Sequence, residues 1–425
     1  MLLLFIGWFV LMFLGIPISF SLIIATSGYL LFAGDMMVAV PHRLLDGSSN
    51  FTILAIPFFI LAGQIMNIGG ISERIFKFCN AWVGHFKGGY GFVNVLESVV
   101  FAAMSGSGAA DLAGPGQIVL ANQRRAGFPD DFNIGLTMCS STIGPIVPPS
   151  IPMVVYGAIA GCSIGALFLG GIIPGLMMAA GFFIEVFIFA RLLDLPTFPK
   201  ATWKERGATT MQTIWALFTP LIIIVGIGAG IVTPTEAAIV CIVYALILSI
   251  FFYRQFEIKK FMAIVVETIE TTGTIILIMA SAGLFGWTIT RAQLPQAFTT
   301  LLLDVSNKPL IVVLLLNAFM LVLGLFIEGN ALIVILVPII LPIMHLLKID
   351  LVYFGVVMVL NVTIGAVTPP VGTYLFIMSN VAKVPIEKVI KSALPWLIPL
   401  LIVLLLLVLF PAIVLFLPRL AGLIE

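Results

Sequence analysis

Two octapeptides in this sequence carry the residues best suited to binding ions. One reads TIGPIVPP from Thr142 to Pro149 and the other TIGAVTPP from Thr363 to Pro370, with five of eight positions identical. Adjacent prolines end a helix because they lack an amide donor and clash with the preceding turn. The half-helix before such a break ends in unpaired carbonyls, which suit a cation, and the next begins with unpaired amides, which suit an anion. The repeated break predicts two related ion sites.

Each octapeptide is preceded by a segment of glycine and small residues that predicts a chain reversal. These segments are AMSGSGAAD at 103 to 111 and GLFIEGNA at 324 to 331. If each reversal packs on the neighbouring break, hydroxyl and carbonyl oxygens converge in a way that suits a monovalent cation such as Na⁺. The first predicted group is Ser105, Ser107, Gly144, Val147 and Pro149, and the second is Gly329, Asn330, Gly365, Thr368 and Pro370. The alternative is that these small residues only let helices pack closely.

Four carboxylates lie in apolar segments, where charge is costly and often functional. They are Asp111, Glu328, Glu97 and Glu185. Glu328 is either a ligand for a proton or cation, or an acceptor for backbone amides at the turn. Its counterpart 221 residues earlier is Ser107, so we do not expect Glu328 to be part of a design common to both copies. Ser150, Glu328 and Asp111 are candidates for contact with substrate or proton, and opposed half-helix N-termini between the two sites could receive a carboxylate.

The composition places these residues in an integral membrane protein. Over 425 residues, 61% are hydrophobic and 9% charged, and the mean hydropathy is +1.23; a soluble domain carries about 25% charge. Apolar runs such as 2–24, 211–232, 237–252 and 397–417 approach the roughly 20 residues that a membrane helix needs. They lack the alternation of a β-barrel. The fold class predicted is an all-α polytopic membrane protein.

The repeat extends well beyond the octapeptides. The offset of 221 that pairs Gly144 with Gly365 also pairs Gly108 with Gly329 and Pro174 with Pro395. The common offset predicts two copies of one unit. Each copy has a span, an amphipathic interfacial segment (71–89 or 294–309), a re-entrant helical hairpin (92–121 or 310–345) and a Pro-broken helix. We predict five parts: an N-terminal scaffold span (1–50), the first repeat (51–195), a cytoplasmic loop with central scaffold spans (196–270), the second repeat (271–401) and the end of the last span (402–425).

The basic residues predict the orientation of the chain. With the N-terminus in the cytoplasm, five of the 20 Lys and Arg fall outside, which leaves 15 inside, as the positive-inside rule favours. The five are Arg43, Arg291, Lys308, Lys348 and Arg419. In this topology the two hairpins enter from opposite sides, so the repeats are inverted. Secondary transporters with inverted repeats place substrate and ions at the repeat interface.

Several other functions find no support in the residues. The four cysteines, Cys79, Cys139, Cys162 and Cys241, form no CxxC pair and are predicted to be core residues. His42, His85 and His345 are isolated, so no metal site beyond sodium and no cofactor is expected. No hydrolase or nucleotide-binding motif is present, and a net charge of +1 gives no reason to expect nucleic acid. Glu236, in TPTE, is predicted to cap a helix.

The motifs MSGSGAAD, QRRAGF, TIGPIVPPSIPMVVYG, FIEGNA and TIGAVTPPVGTYLF resemble the large membrane subunit of the tripartite ATP-independent periplasmic (TRAP) transporters. The resemblance covers essentially the whole chain. It implies an elevator-type secondary transporter of the ion transporter superfamily type in the bacterial inner membrane. It also implies sodium-driven uptake of organic acids such as sialic acid or C4-dicarboxylates, with sodium sites formed by the two groups of residues above.

The same resemblance implies partner proteins. A soluble periplasmic binding protein would deliver the substrate, and a small four-helix membrane subunit would brace the scaffold. No apolar span precedes Leu2, so the small subunit is expected as a separate chain.

Two other transport modes remain open at this point. A self-sufficient sodium- or proton-coupled anion carrier of the same broad superfamily would need no binding protein. A proton-coupled exchanger would use Glu328 or Asp111 and would be indifferent to sodium. An ion channel is less favoured, since no ring-forming filter motif is present.

Overall fold

The computed structural model describes residues 1–34, 36–49 and 51–424, and within these residues the ordered elements are all helical. Six of the described helical segments are long and apolar enough to cross a membrane. They are Phe51–Ile68, Ile164–Leu192, Trp203–Gly228, Pro234–Phe252, Ile258–Arg291 and Gly329–Leu346. The prediction of an all-helical polytopic membrane protein is confirmed.

The N-terminal region differs from the single span expected over residues 2–24. It forms α1 (Leu2–Phe13), α2 (Ile18–Phe32) and α3 (Ala39–Ser48), and α1 packs on α2. Gly15, with φ of +85°, and Pro17 separate the first two helices. A positive φ is open mainly to glycine, and proline cannot continue the helix, so the chain turns back although the run is apolar throughout.

The first predicted repeat, residues 51–195, contains eight α-helices and two short 3-10 helices. The α-helices are α4 (Ala55–Ile68), α5 (Ile71–Val83), α6 (Gly89–Ser105), α7 (Gly108–Ala113), α8 (Pro115–Arg125), α9 (Asp130–Ser140), α10 (Ile151–Ala160) and α11 (Ile164–Leu192). The predicted reversal lies between α6 and α7, and the predicted Pro-Pro break lies between α9 and α10. The amphipathic segment is the helix α5, which buries Ile71, Ile75 and Cys79 and exposes the Glu73–Lys77 ion pair.

The centre and the second repeat complete the chain. The helices are α12 (Trp203–Gly228), α13 (Pro234–Ile247), α14 (Ile258–Arg291), α15 (Leu294–Val305), α16 (Pro309–Gly324), α17 (Gly329–Leu346), α18 (Leu351–Val367), α19 (Thr373–Ala382), α20 (Ile386–Ala393), α21 (Leu397–Leu409) and α22 (Ala412–Leu420). The second reversal joins α16 to α17, and the second break separates α18 from α19. The continuous span expected over 397–417 is wrong, because α21 ends at Leu409 and Pro411 precedes α22.

Local sequence sets the starts of the two central spans. Thr202 and Glu205 form a capping box at the start of α12, and Thr233 and Glu236 form one at the start of α13. In each box the threonine hydroxyl accepts from the glutamate amide, and the glutamate carboxylate accepts from the threonine amide. The prediction that Glu236 caps a helix is confirmed.

The two broken helices lie against the first arms of the two hairpins. α6 packs on α9, and α16 packs on α18. α14, of 34 residues, contacts α2, α3, α4 and α17, so it connects the N-terminal helices with the second repeat. The hairpin tips are thereby held next to the breaks, where the sequence predicts ion sites.

Candidate ion and substrate sites

The first hairpin tip lies directly against the first Pro-Pro break. The amide of Ile151 donates to the carbonyl of Gly106 at 3.3 Å. A Cβ on Gly106, which has φ of +63°, would collide with the carbonyl oxygen of Pro149, and one on Gly144 would lie 3.0 Å from the amide nitrogen of Gly108. Backbone meets backbone here without intervening side chains, so the predicted juxtaposition of tip and break occurs.

Polar atoms at this first junction are partly committed to local bonds. The Ser107 hydroxyl accepts from the amide of Ala110 at 3.4 Å and so caps α7. The Ser105 hydroxyl lies 3.4 Å from the Ser107 amide, which donates to it. Among the described residues, the carbonyls of Gly144, Val147 and Pro149 accept no hydrogen bond. Ser105, Ser107, Gly144 and Pro149 come together as predicted, whereas the Val147 side chain points toward Gly175 of α11.

The second junction uses a different pair of contacts. A Cβ on Gly365 would lie 2.7 Å from the carbonyl oxygen of Gly324 at the end of α16. The amide of Val371 donates to the carbonyl of Leu325 at 3.1 Å. The Thr368 hydroxyl donates to the carbonyl of Ile364 at 2.7 Å, which leaves its lone pairs available. Within the described chain, the carbonyls of Thr368 and Pro370 accept no hydrogen bond.

An open cavity of about 200 Å³ lies at the second junction. Its lining combines the hairpin tip, the start of α19 and the first residue of α2: Ile18, Gly324, Phe326, Ile327, Glu328, Gly329, Ala366, Val371, Gly372 and Thr373. Of the second predicted group, Gly329 lines this cavity and Gly365 packs against Gly324, which also lines it, whereas the side-chain amide of Asn330 donates to Glu328 at 3.0 Å. The cavity is large enough to hold a small ligand group or several water molecules.

The two half-helices after the breaks offer different anion sites. At the start of α10, the amide of Ile151 donates to Gly106 and that of Met153 to the Ser150 hydroxyl at 3.2 Å, while Pro152 has no amide hydrogen. The hydroxyl proton of Ser150 is not available to an anion, since it is donated to the carbonyl of Pro145. At the start of α19, no hydrogen bond from the amides of Thr373 and Tyr374 is present in the described residues. The expectation of two opposed anion-receiving N-termini is therefore corrected to one.

Glu328 occupies the same place in the second hairpin as Ser107 does in the first. Its carboxylate accepts from the amide of Ala331 at 3.0 Å and caps α17. The offset of 221 relates Ser107 to Glu328 and Ala110 to Ala331, so the two caps are equivalent. The expectation that Glu328 lies outside the common design is wrong. In both hairpins a backbone amide in the first turn needs an acceptor from the residue that precedes the helix, and a serine or a glutamate side chain can supply that oxygen. Of its two predicted roles, the structure shows the acceptor of a backbone amide.

Three other carboxylates have buried oxygen atoms. Asp111 is in α7, Glu97 is in α6 and only 1% exposed, and Glu185 is in α11. Both carboxylate oxygens of Glu97, Oδ2 of Asp111 and Oε2 of Glu185 are buried with no hydrogen-bond partner among the described residues. Asp111 is one turn from the Ser107 cap, which keeps it a candidate for contact with substrate or proton.

Sequence reasoning missed a polar contact between each hairpin and its broken helix. In the first repeat, Ser140 donates to Asn94 at 2.9 Å and lies 3.1 Å from the Ser98 hydroxyl. In the second, Asn361 donates to the Asn317 side chain at 2.8 Å. Ser140 and Asn361 are related by the same offset of 221, so the pairing of two buried polar residues in equivalent helices was a detectable signal.

A cluster of charges fastens the first repeat to the second. Arg124 donates to both carboxylate oxygens of Asp130, at 2.7 and 3.2 Å, and to the carbonyl of Ala382 at 2.9 Å. Lys388 of α20 also donates to Asp130, at 3.2 Å. We call Arg124, Asp130, Ala382 and Lys388 the inter-repeat clamp. It ties the base of the first hairpin and the start of α9 to the end of α19 and to α20.

Comparison with known families identifies this arrangement. The model of the "Tripartite ATP-independent periplasmic transporter, DctM component" family matches residues 5–413. The chain belongs to this family. It is therefore the large permease type of TRAP transporter subunit, as the motifs indicated.

Individual relatives of this TRAP permease agree over nearly its whole length. A "Sialic acid TRAP transporter large permease protein SiaM" of Vibrio cholerae is 42% identical over 415 residues, covering 97% of each chain. A "C4-dicarboxylate TRAP transporter large permease protein DctM" of Pseudomonas aeruginosa is 38% identical, covering 92% of each. The "Sialic acid TRAP transporter permease protein SiaT" of Haemophilus influenzae is 39% identical over 97% of this chain and 67% of its own. These relatives are transporter permeases and not enzymes.

A solved structure is similar in fold alone. The YdaH transporter of Alcanivorax borkumensis superimposes with a TM-score of 0.66 at 15% identity, covering 87% of each chain. The TRAP permease therefore shares its helical architecture with a transporter of quite different sequence.

Proposed function

We propose that this TRAP permease carries out sodium-coupled uptake of a carboxylate-bearing organic acid of the sialic acid or C4-dicarboxylate type. A soluble periplasmic binding protein delivers the acid, and a separate small four-helix membrane subunit braces the permease. The names of the full-length relatives support this substrate range. The protein is expected in the bacterial inner membrane with its N-terminus in the cytoplasm, in agreement with the distribution of its Lys and Arg.

One observation carries the proposal of sodium coupling. Two hairpin tips meet two Pro-Pro breaks at positions related by one offset, and each junction contains carbonyls with no hydrogen bond among the described residues next to a serine or threonine hydroxyl. Neutral oxygens in a low-dielectric environment suit a monovalent cation, which supplies the charge that the carbonyl dipoles stabilise. Ser105, Ser107 and the carbonyls of Gly144, Val147 and Pro149 form the first proposed site, and Thr368 with Gly329, Gly365 and Pro370 forms the second.

The substrate carboxylate is proposed to bind at the start of α19. Amides without acceptors at a helix N-terminus favour an anion, and Thr373 also lines the cavity beside Gly329 and Glu328. A sodium ion at the second site would hold the hairpin tip against the break and so shape this cavity. Each ligand would then raise the affinity of the other.

Transport is proposed to follow an elevator mechanism. The hairpins and broken helices form the mobile block, while α1, α2, α12, α13 and the amphipathic helices form the frame. The inter-repeat clamp supports this division, since it connects parts of both repeats within the proposed block.

Sodium-dependent stabilisation of the purified chain tests this proposal. Thermal unfolding is titrated with NaCl, KCl or choline chloride at fixed ionic strength, and we expect a saturable upward shift with sodium alone. Thr368→Val should raise the half-saturating sodium concentration about tenfold, because it removes one ligand oxygen. The matched control is Thr290→Val, since Thr290 also donates to the carbonyl four residues earlier at 2.7 Å but lies away from both junctions.

Two outcomes of this experiment would contradict sodium coupling. One is identical curves in all three salts, and the other is the same sodium response in Thr368→Val as in the unchanged chain. Uptake into vesicles then tests delivery: transport by the permease and small subunit without any binding protein would favour a self-sufficient anion carrier.

A further inference from the structure

Arg206 is a buried arginine for which the described residues provide no acidic partner. It lies in the first turn of α12 and is 6% exposed. Its Nε donates to the carbonyl of Ala81 at 3.1 Å, near the C-terminus of α5, and its Nη2 is buried without a hydrogen-bond partner. A buried charge is costly unless it is paired. The carbonyl of Ala81 supplies only a partial negative charge, so the site lacks an anion.

The neighbouring charges do not neutralise Arg206. The carboxylate of Glu205 accepts from the amide and hydroxyl of Thr202, at 2.7 and 2.9 Å, and is committed to the capping box. Burial, followed by the positive charges of Arg206 and Lys200, lowers the pKa of His85. Lys200 is therefore a second cation in the surroundings that Arg206 and His85 share.

The position of Arg206 along α12 places it at the membrane surface. A helix of 26 residues is about 39 Å long, whereas the hydrocarbon core is about 30 Å thick. The first turn of α12 therefore extends into the headgroup region. Two tryptophans flank the guanidinium there, with ring centroids 5.5 Å (Trp82) and 5.2 Å (Trp203) away. Tryptophan is enriched at this depth.

An exposed apolar face continues from this site along α12. Trp203, Met211, Trp215 and Phe218 lie on one face of the helix, and each is exposed. Gly207 lies between Trp203 and Met211 on that face, and a Cβ there would meet no atom within 4 Å. Gly207 thus leaves a gap on this exposed face one residue after Arg206, followed by a surface suited to a hydrocarbon chain.

We propose that Arg206 binds the phosphate of an anionic phospholipid whose acyl chain lies along this face of α12. The phosphate oxygens accept from the Arg206 guanidinium, Lys200 adds a second positive charge, and Trp82 and Trp203 flank the headgroup. Basic pockets at membrane-helix ends recognise lipid phosphates in this manner. The site lies apart from the proposed sodium and substrate sites and does not depend on them.

Lipid titration of the purified full-length chain tests the site. Its thermal unfolding midpoint is followed in detergent micelles supplemented with phosphatidylglycerol, phosphatidylcholine or inorganic phosphate at fixed ionic strength. We expect a saturable upward shift with phosphatidylglycerol alone. Arg206→Gln should raise the half-saturating lipid fraction about tenfold, through loss of charge-assisted hydrogen bonds. Arg125→Gln, which removes one charge from an exposed position, should leave it unchanged.

A second variant covers the case in which Arg206→Gln fails to fold. Gly207→Leu keeps every bond of Arg206 and fills the gap, so it should also weaken the phosphatidylglycerol response. Equal shifts with both lipids, or an unchanged response in both variants, would overturn the proposal. An equal shift with inorganic phosphate would assign the site to a free anion and overturn the lipid site. The lipid site would also be overturned if the two variants kept the lipid response but no longer co-purified with the small subunit, because the site would then bind a protein partner.

Discussion

The two Pro-Pro breaks have nearly the same sequence but differ in their access to the surroundings. Residues 141–150 are buried throughout, whereas Pro370 and Val371 are exposed and Val371 lines an open cavity. The cause lies in the segment that comes after the half-helix following each break. Gly171 and Gly175 let α11 approach so closely that a Cβ on either would collide with Ile146 or Val147. The equivalent positions 221 residues later are Ser392 and Trp396, which pack against Gly135 of α9 instead.

This difference gives the two junctions different roles in the proposed mechanism. The first junction is closed by α11, so an ion there would be exchanged only after local opening. The second junction is open to the cavity, where the proposed substrate and ion would enter in this conformation. One repeated sequence motif therefore gives one enclosed and one accessible junction.

The largest effect is expected from a substitution that separates the first tip from its break. Gly106→Ala adds a Cβ that meets the Pro149 carbonyl and also requires φ of +63° from a residue with a side chain. Strain and overpacking together should cost about 3 kcal/mol. Gly324→Ala at the second junction should cost well under half of that, because its Cβ would lie 3.4 Å from Gly365 Cα, which is ordinary contact.

Unfolding of the two variants, followed by denaturant titration in detergent, gives the comparison. Equal losses of stability would mean that Gly106 is no more tightly constrained by its surroundings than Gly324. The sodium response should also be lost in Gly106→Ala, since the first site would no longer assemble.

A moderate effect is expected when the two equivalent caps are removed. Ser107→Ala and Glu328→Ala each delete a side-chain acceptor at a helix N-terminus, and each should cost about 1 kcal/mol. Glu328→Ser should restore most of the loss in the second hairpin, because serine is the residue used at the equivalent position of the first. Stability measured alongside uptake separates the two roles of Glu328.

The serine variant decides whether Glu328 has a role beyond capping. Full uptake in Glu328→Ser would confine Glu328 to a structural role. If stability recovers and uptake is nevertheless lost, the carboxylate itself takes part in transport, and proton or cation binding at Glu328 returns as its function.

The residues that end helices can be predicted from the sequence, whereas the residues that form contacts between helices cannot. Pro148–Pro149, Pro369–Pro370 and the glycine-rich tips ended helices where predicted, because the cause is local. The break between α1 and α2 was missed because Gly15 and Pro17 lie inside an apolar run whose hydropathy does not change. The difference in residue type hides the equivalence of Ser107 and Glu328 as helix caps, because capping depends on where the acceptor oxygen lies and not on which side chain carries it.

The smallest effect is expected at the inter-repeat clamp. Asp130→Asn removes the anion that Arg124 and Lys388 share at the exposed polar end of α9, which should cost about 0.5 kcal/mol because the group is partly solvated.

The hydrogen bond from Arg124 lowers the pKa of Asp130 below its usual 3.8. A depressed carboxyl pKa stabilises the fold above the unfolded value, and this stabilisation is lost as the pH falls through the folded value. The stability curves of Asp130→Asn and the unchanged chain should therefore differ at neutral pH and converge as the pH falls through the lowered pKa of Asp130. If the clamp also makes the two repeats move together, the variant should slow uptake at neutral pH without altering the half-saturating sodium concentration, and an unchanged uptake rate would leave the clamp a purely stabilising contact.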